Sequence, residues 1–96
     1  MHMSFEFDPQ KAQSNWRRHR VRFEDAEPGF DDPLALTRED PDAKAEQRWL
    51  TVGCDALGRM LTVCYTLRGD NEESDQDVRL ISARLATKKE RTLYES

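Results

Sequence analysis

The stretch Val78-Arg79-Leu80-Ile81-Ser82-Ala83-Arg84-Leu85, running on into Ala86-Thr87-Lys88-Lys89-Glu90, constrains the fold more than any other part of the chain. Its first half is apolar and partly β-branched with polar residues interleaved, which predicts a partly buried strand. Thr87 and Glu90 have the spacing of a capping box, in which a hydroxyl and a carboxylate each satisfy an orphan amide, so a helix starts there. Strict alternation puts Arg79, Ile81 and Ala83 on one face and Val78, Leu80, Ser82 and Arg84 on the other. Each face then carries an arginine beside apolar neighbours. One account is that strand ends are wet and the arginines snorkel to water. The other is an anion site: guanidinium groups on a rigid strand, beside a helix start bearing Lys88 and Lys89, suit phosphate because arginine presents a fixed fork of donors.

The preceding chain supplies strands for that one to pair with. Gln47 to Cys54 and Met60 to Leu67 are rich in Val, Leu, Thr and aromatics, joined by a hairpin turn at Asp55-Ala56-Leu57-Gly58. The acidic run Asp70 to Asp77 makes a longer turn into the arginine strand. Leu34 to Thr37 reads as a further strand and residues 38 to 45 as a loop. Upstream, Phe5-Glu6-Phe7 alternates like a short strand, and Asp8-Pro9 is a cap followed by proline at the first helical position. Ala12, Trp16 and His19 recur at helical spacing with Asn15 alongside, predicting a core face with Lys11, Arg17, Arg18 and Arg20 near solvent. Val21 to Ala26 predicts a second short helix that Pro28-Gly29 ends, and Phe30 is expected to fold back on the core. Helices first and strands later is the α+β pattern: an antiparallel sheet with two N-terminal helices on one face and a short C-terminal helix.

With 96 residues, 36% hydrophobic and 35% charged, one domain over residues 1–96 with a thin core is expected. Met1-His2 before Met3 reads as a cloning remnant, which leaves His19 as the histidine available for chemistry. The absence of a long apolar run or a leader predicts a soluble, cytoplasmic protein. A formal net charge of -4 argues against a uniformly basic, nucleic-acid-binding surface. Its distribution does not: Arg17, Arg18, Arg20 and Arg22 lie together, and Arg79, Arg84, Lys88, Lys89 and Arg91 crowd the end of the chain. Cys54 and Cys64 fall about four residue pairs apart on neighbouring strands, roughly 13 Å, too far for a disulfide. They lack metal-site spacing, and neither a metal nor another cofactor is expected.

Read in order, Phe5-Glu6-Phe7-Asp8-Pro9, Lys11-Ala12, Asn15, His19, Val21, Phe23-Glu24-Asp25-Ala26, Phe30-Asp31-Asp32-Pro33-Leu34-Ala35, Arg48, Val52-Gly53, Gly58-Arg59, Arg79, Ile81-Ser82-Ala83-Arg84, Ala86-Thr87, Glu90 and Tyr94-Glu95 resemble the BrnT toxin family over nearly the whole chain. The resemblance implies a RelE-like fold and a ribonuclease that arrests translation. It also implies neutralisation by a BrnA-like antitoxin with a ribbon-helix-helix DNA-binding part. Arg20 stands where that family usually has glycine, Arg22 where a serine-type cap is common, and Tyr65 where many relatives have histidine. The acidic turn is also longer than the usual hairpin.

RNA cleavage without a metal needs a base for the 2′-hydroxyl, a proton for the departing oxygen and fixed positive charge around the phosphorane. Arg48, Arg79 and Arg84 are candidates for the charge, provided that a bulge or the strand end near Ala83 brings the last two together, or that only one takes part. Arg79 is favoured, with Arg84 orienting the C-terminal helix. His19 is a candidate base or a helix cap, and Glu90 a catalytic carboxylate or simply half of the capping box. Lys11, Tyr65, Lys88 and Tyr94 are candidate RNA contacts, the tyrosines alternatively packing in the interior. The expected partners are RNA, the antitoxin and, through it alone, promoter DNA, with two toxins per complex and no membrane. The antitoxin is expected to lay an acidic segment on the basic strip and the first-helix arginines. A second reading is a catalytically impaired BrnT-like module that only pairs with an antitoxin or binds RNA.

Overall fold

The computed structural model describes residues 3–44, 46–68 and 76–95. His2 and the acidic stretch 70–75 lie outside them. Strand β1 (Met3–Glu6) leads into helix α1 (Pro9–His19), helix α2 (Phe23–Ala26) and a 3-10 turn (Glu27–Asp31). Then come β2 (Leu36–Glu39), β3 (Trp49–Cys54), β4 (Met60–Arg68), β5 (Gln76–Leu85) and helix α3 (Lys88–Glu95). The elements follow the sequence reading closely, although β2 begins later and runs into the expected loop. No helix among the described residues is long and apolar enough to cross a membrane.

The sheet order is β1-β5-β4-β3-β2. The last four strands form the expected antiparallel meander, but β1 joins β5 in parallel, with Phe5 opposite Val78, so the sheet is mixed rather than antiparallel. Pairing between segments this distant in sequence leaves no local mark for alternation to reveal. Cys54 lies opposite Met60 and Cys64 opposite Leu50, and both are free thiols, as their spacing required.

The core collects Val21, Phe23, Ala26, Leu61, Val63, Tyr65, Val78, Leu80 and Ala83, with Phe5, Phe7, Ala12, Phe30 and Trp49 packed against it. Each large apolar side chain buried there contributes about 1.5–3 kcal/mol of transfer free energy. Phe30 does fold back, its ring centroid 5.1 Å from Phe5 and 4.9 Å from Tyr65. Trp16 does not join the core: it is 37% exposed, because Arg20 and Arg22 hold its ring at the surface, with guanidinium carbons 5.3 and 4.8 Å from the ring centroid.

Helix α1 starts as its sequence dictates, with Asp8 Oδ1 accepting from the Gln10 amide at 2.8 Å. It ends on Arg20, whose amide donates to the Trp16 carbonyl at 2.9 Å from a left-handed backbone, φ 57°. Glycine takes that conformation freely, whereas another residue costs about 1 kcal/mol. The helix docks on β5 beyond the end of β1. There the buried Asn15 side chain accepts from the Ala83 amide at 3.0 Å and donates to the Ala83 carbonyl at 2.8 Å and the Val21 carbonyl at 3.0 Å. On the far side, Gly53 packs against the 3-10 turn so closely that a Cβ there would lie 2.6 Å from the Gly29 carbonyl oxygen.

Candidate active site

The site is made by an irregularity in β5. Ser82 pairs with Cys64 but Leu80 pairs with Tyr65, so Ile81 is an extra residue without a partner on β4. Past this bulge the alternation changes phase. Val78, Leu80 and Ala83 all turn into the core, each fully buried. Arg79, opposite Thr66, and Arg84, opposite Thr62, therefore share the other face with Ser82. This corrects the assignment by strict alternation, which put the arginines on opposite faces and Ala83 with Arg79. The condition set for both to act on one face is thus met, but their partners stand four residues apart on β4, roughly 13 Å. Arg79 lines a separate open hollow of about 290 Å³ with Glu6, Phe7 and Asp8.

Arg84 is the fixed cation. Its two terminal nitrogens donate to Glu90 Oε1 at 2.7 Å and Oε2 at 3.0 Å, the fork geometry that locks a guanidinium plane. Glu90 is held in turn by the capping box: its Oε1 accepts from the Thr87 amide at 2.8 Å, and its own amide donates to Thr87 Oγ1 at 3.2 Å. Arg38 from β2 approaches Oε2 at 3.5 Å. Burial pushes the Glu90 carboxyl upward, but the Arg84 and Thr87 hydrogen bonds prevail and hold it at about 2. A carboxylate so strongly acidic is a poor base at neutral pH, so Glu90 serves to position Arg84 and to start α3.

His19 lines an open groove of about 380 Å³ with Asp8, Lys11, Asn15, Arg18, Ile81 and Ser82 among its walls. It does not cap α1, a role that falls to the Arg20 amide. Burial lowers its pKa first, and the charges of Arg18 and Arg84 lower it further, so the imidazole is neutral near pH 7 and able to accept a proton. Arg48, at the head of β3, lines an adjoining groove of about 400 Å³ with Lys11, Asp42, Lys44, Glu46 and Ile81. Its Nε lies 4.0 Å from Asp40 Oδ2, to which the Cys64 thiol also donates at 3.9 Å. Burial raises the Cys64 pKa, so it is a protonated filler beneath the site. Lys11 and Ile81 border both grooves, and the bulge is the ridge where they meet.

Of the predicted site residues, His19 and Lys11 share one groove and Lys11 and Arg48 the next, while Arg84, with Glu90 behind it, is near enough for its charge to act on His19. Tyr65 is only 4% exposed, with its hydroxyl 2.7 Å from Thr51 Oγ1, and belongs to the core. Tyr94 donates to Asp32 Oδ2 at 2.6 Å and lies 3.7 Å from Cys54 Sγ, fastening α3 to the 3-10 turn. The Asp32 bond raises the tyrosine pKa and lowers that of Asp32. Lys88 is exposed on α3 beside a shallow hollow with Arg91, Thr92 and Glu95. Sequence reasoning missed Ser82, Arg38 and Asp40, whose places depend on the bulge and on a β2 that extends into the expected loop.

No curated protein matches the chain. The solved ribonuclease toxin BrnT of Brucella abortus is similar in structure, with a TM-score of 0.62 and 23% identity over 92% of this chain and 100% of that one. At that identity the likeness is one of fold, the α+β arrangement of a five-stranded mixed sheet with three helices described above. Residues 7–90 match the family described as "Ribonuclease toxin, BrnT, of type II toxin-antitoxin system". The chain belongs to the BrnT family of ribonuclease toxins.

Proposed function

We propose that this BrnT-family toxin is a RelE-like, metal-independent endoribonuclease that arrests translation, acting as one domain in the cytoplasm. The observation that carries the reading is the clamped Arg84 guanidinium whose charge reaches neutral His19, with Lys11 bordering both the His19 and the Arg48 grooves. In this mechanism His19 takes the proton of a 2′-hydroxyl, and the freed oxygen attacks the adjacent phosphorus. The bond from phosphorus to the 5′-oxygen breaks, giving a 2′,3′-cyclic phosphate, and water in the open groove relays the proton held by His19 to the leaving oxygen, which restores the neutral imidazole. Arg84 and Arg48 meet the negative charge that grows on the phosphorane, and Lys11 holds a flanking phosphate. Arg79 and Lys88 contact the strand further out, while Glu90 acts through Arg84.

Membership of a type II toxin-antitoxin family implies an antitoxin partner. We assign that role to a BrnA-like ribbon-helix-helix protein that covers the Arg84 face, carries the pair to promoter DNA and binds two toxins per complex. The test is cleavage of single-stranded RNA by the purified toxin in excess EDTA. Arg84→Ala should reduce the rate at least tenfold with an unchanged far-UV CD spectrum. A strict need for added divalent metal, or cleavage untouched by Arg84→Ala, refutes the mechanism. RNA binding without cleavage in the unmodified protein would mean a catalytically impaired module instead.

A further inference from the structure

On the opposite flank of α1 from the His19 groove, Trp16 stands 37% exposed with the Arg20 and Arg22 guanidinium groups over its ring. Trp16 and Arg22 side a hollow of about 320 Å³ whose walls also include Phe23 and Glu24. Arg38, Arg48, Arg59 and Arg84 each have a carboxylate partner. Among the described residues, Arg17, Arg18, Arg20 and Arg22 have none within 4.0 Å. Four uncompensated arginines within six positions are unexpected in a chain of net charge -4. One of them, Arg20, also holds a left-handed backbone that glycine would hold without cost.

We propose that α1 carries a second, non-catalytic contact surface for single-stranded RNA, in which the Trp16-Arg20-Arg22 stack receives a base and the α1 arginines guide the backbone toward the groove of His19. The inference rests on the ribonuclease reading. Helical spacing orders the cations: Lys11 and Arg18 border the groove, Arg17 follows on the exposed face, and Trp16 lies on the far flank. A helix with its side chains is about 10 Å across, a distance that a few nucleotides span. Guanidinium planes and an indole ring stack bases of any identity, whereas an acidic peptide has no use for the stack. Glu24 on the rim accepts hydrogen bonds from base amino groups and repels a carboxylate.

The test compares Trp16→Leu, Trp16→Phe and Arg22→Gln with the unmodified toxin on a long single-stranded RNA and on a dinucleotide. Trp16→Leu keeps an apolar group in the hollow but removes stacking, and should raise KM for the long RNA about tenfold without changing kcat or dinucleotide cleavage. Trp16→Phe should recover most of the affinity, and Arg22→Gln should reduce the slope of log K against log salt by about 0.7. Binding of a 2′-O-methyl RNA, which has no attacking hydroxyl, followed through Trp16 fluorescence in a Trp49→Phe background, separates the two readings. Binding with no cleavage of ordinary RNA sinks the nuclease and leaves the surface standing. A long-RNA KM unmoved by Trp16→Leu overturns the surface, and weaker antitoxin binding with RNA affinity intact assigns it to a protein partner.

Discussion

Replacing Glu90 with glutamine tests whether the capping box and the Arg84 clamp are one structure. The amide keeps the shape of the carboxylate but loses its charge, so Arg84 retains at most one weakened hydrogen bond. The Glu90 carboxyl is held at about 2 against an ordinary 4.5. At 1.36 kcal/mol per unit this amounts to about 3 kcal/mol of folding free energy. The Arg84 side chain is 34% exposed, so solvent screening trims the expected loss to about 2 kcal/mol, or about 8–16 °C in Tm for a domain of this size. Because the folded pKa lies below the unfolded one, this stabilisation is fully present above the unfolded value. It disappears as pH falls from about 4.5 through about 2. Urea melts of the unmodified protein and of Glu90→Gln across that window should therefore differ by about 2 kcal/mol at neutral pH and converge in acid. A difference of the same size at both ends of the window, or none at neutral pH, would show that the clamp contributes no charge-dependent stability.

Arg84→Ala should raise the pKa of His19, because the Arg84 charge is one of the influences that depress it. An NMR titration of the imidazole, assigned by comparison with His19→Gln, reads this directly, and an unchanged midpoint would separate Arg84 from the histidine. Gly53→Ala should destabilise the fold by about 1–3 kcal/mol, since its methyl would meet backbone rather than a movable side chain. Thermal melting would show a loss of at least several degrees, and an unchanged Tm would mean that the 3-10 turn moves freely away from β3.

What the sequence made legible was local. The Asp8-Pro9 helix start, the Thr87–Glu90 capping box and the meander of three strands depend on residues within a few positions of one another. The bulge was harder, because Ile81 suits a regular strand and no glycine or proline marks the irregularity. Its trace is a phase slip: the core residues of β5 fall at 78, 80 and 83 rather than at even spacing. That slip decides whether Arg79 and Arg84 share a face, so half of the site's geometry hung on it. Trp16 was misplaced for a different reason. Helical periodicity says where a side chain points, but two arginines just past the helix end determined what its ring would rest on. The parallel pairing of β1 lay beyond any windowed pattern, since Met3 finds its partner at Gln76.

That pairing also governs when the protein can become dangerous. β1 and α1 leave the ribosome well before β5, the strand that anchors both. The Asn15 clasp on Ala83 spans 68 positions of chain. His19 precedes β2 to β4 and Arg84 follows them, so a product that stops short of β5 lacks both the clasp and Arg84. Non-local closure of this kind comes late in folding, after the loop entropy of the intervening chain has been overcome. On the mechanism proposed above, a nascent chain that has not reached β5 has no complete site.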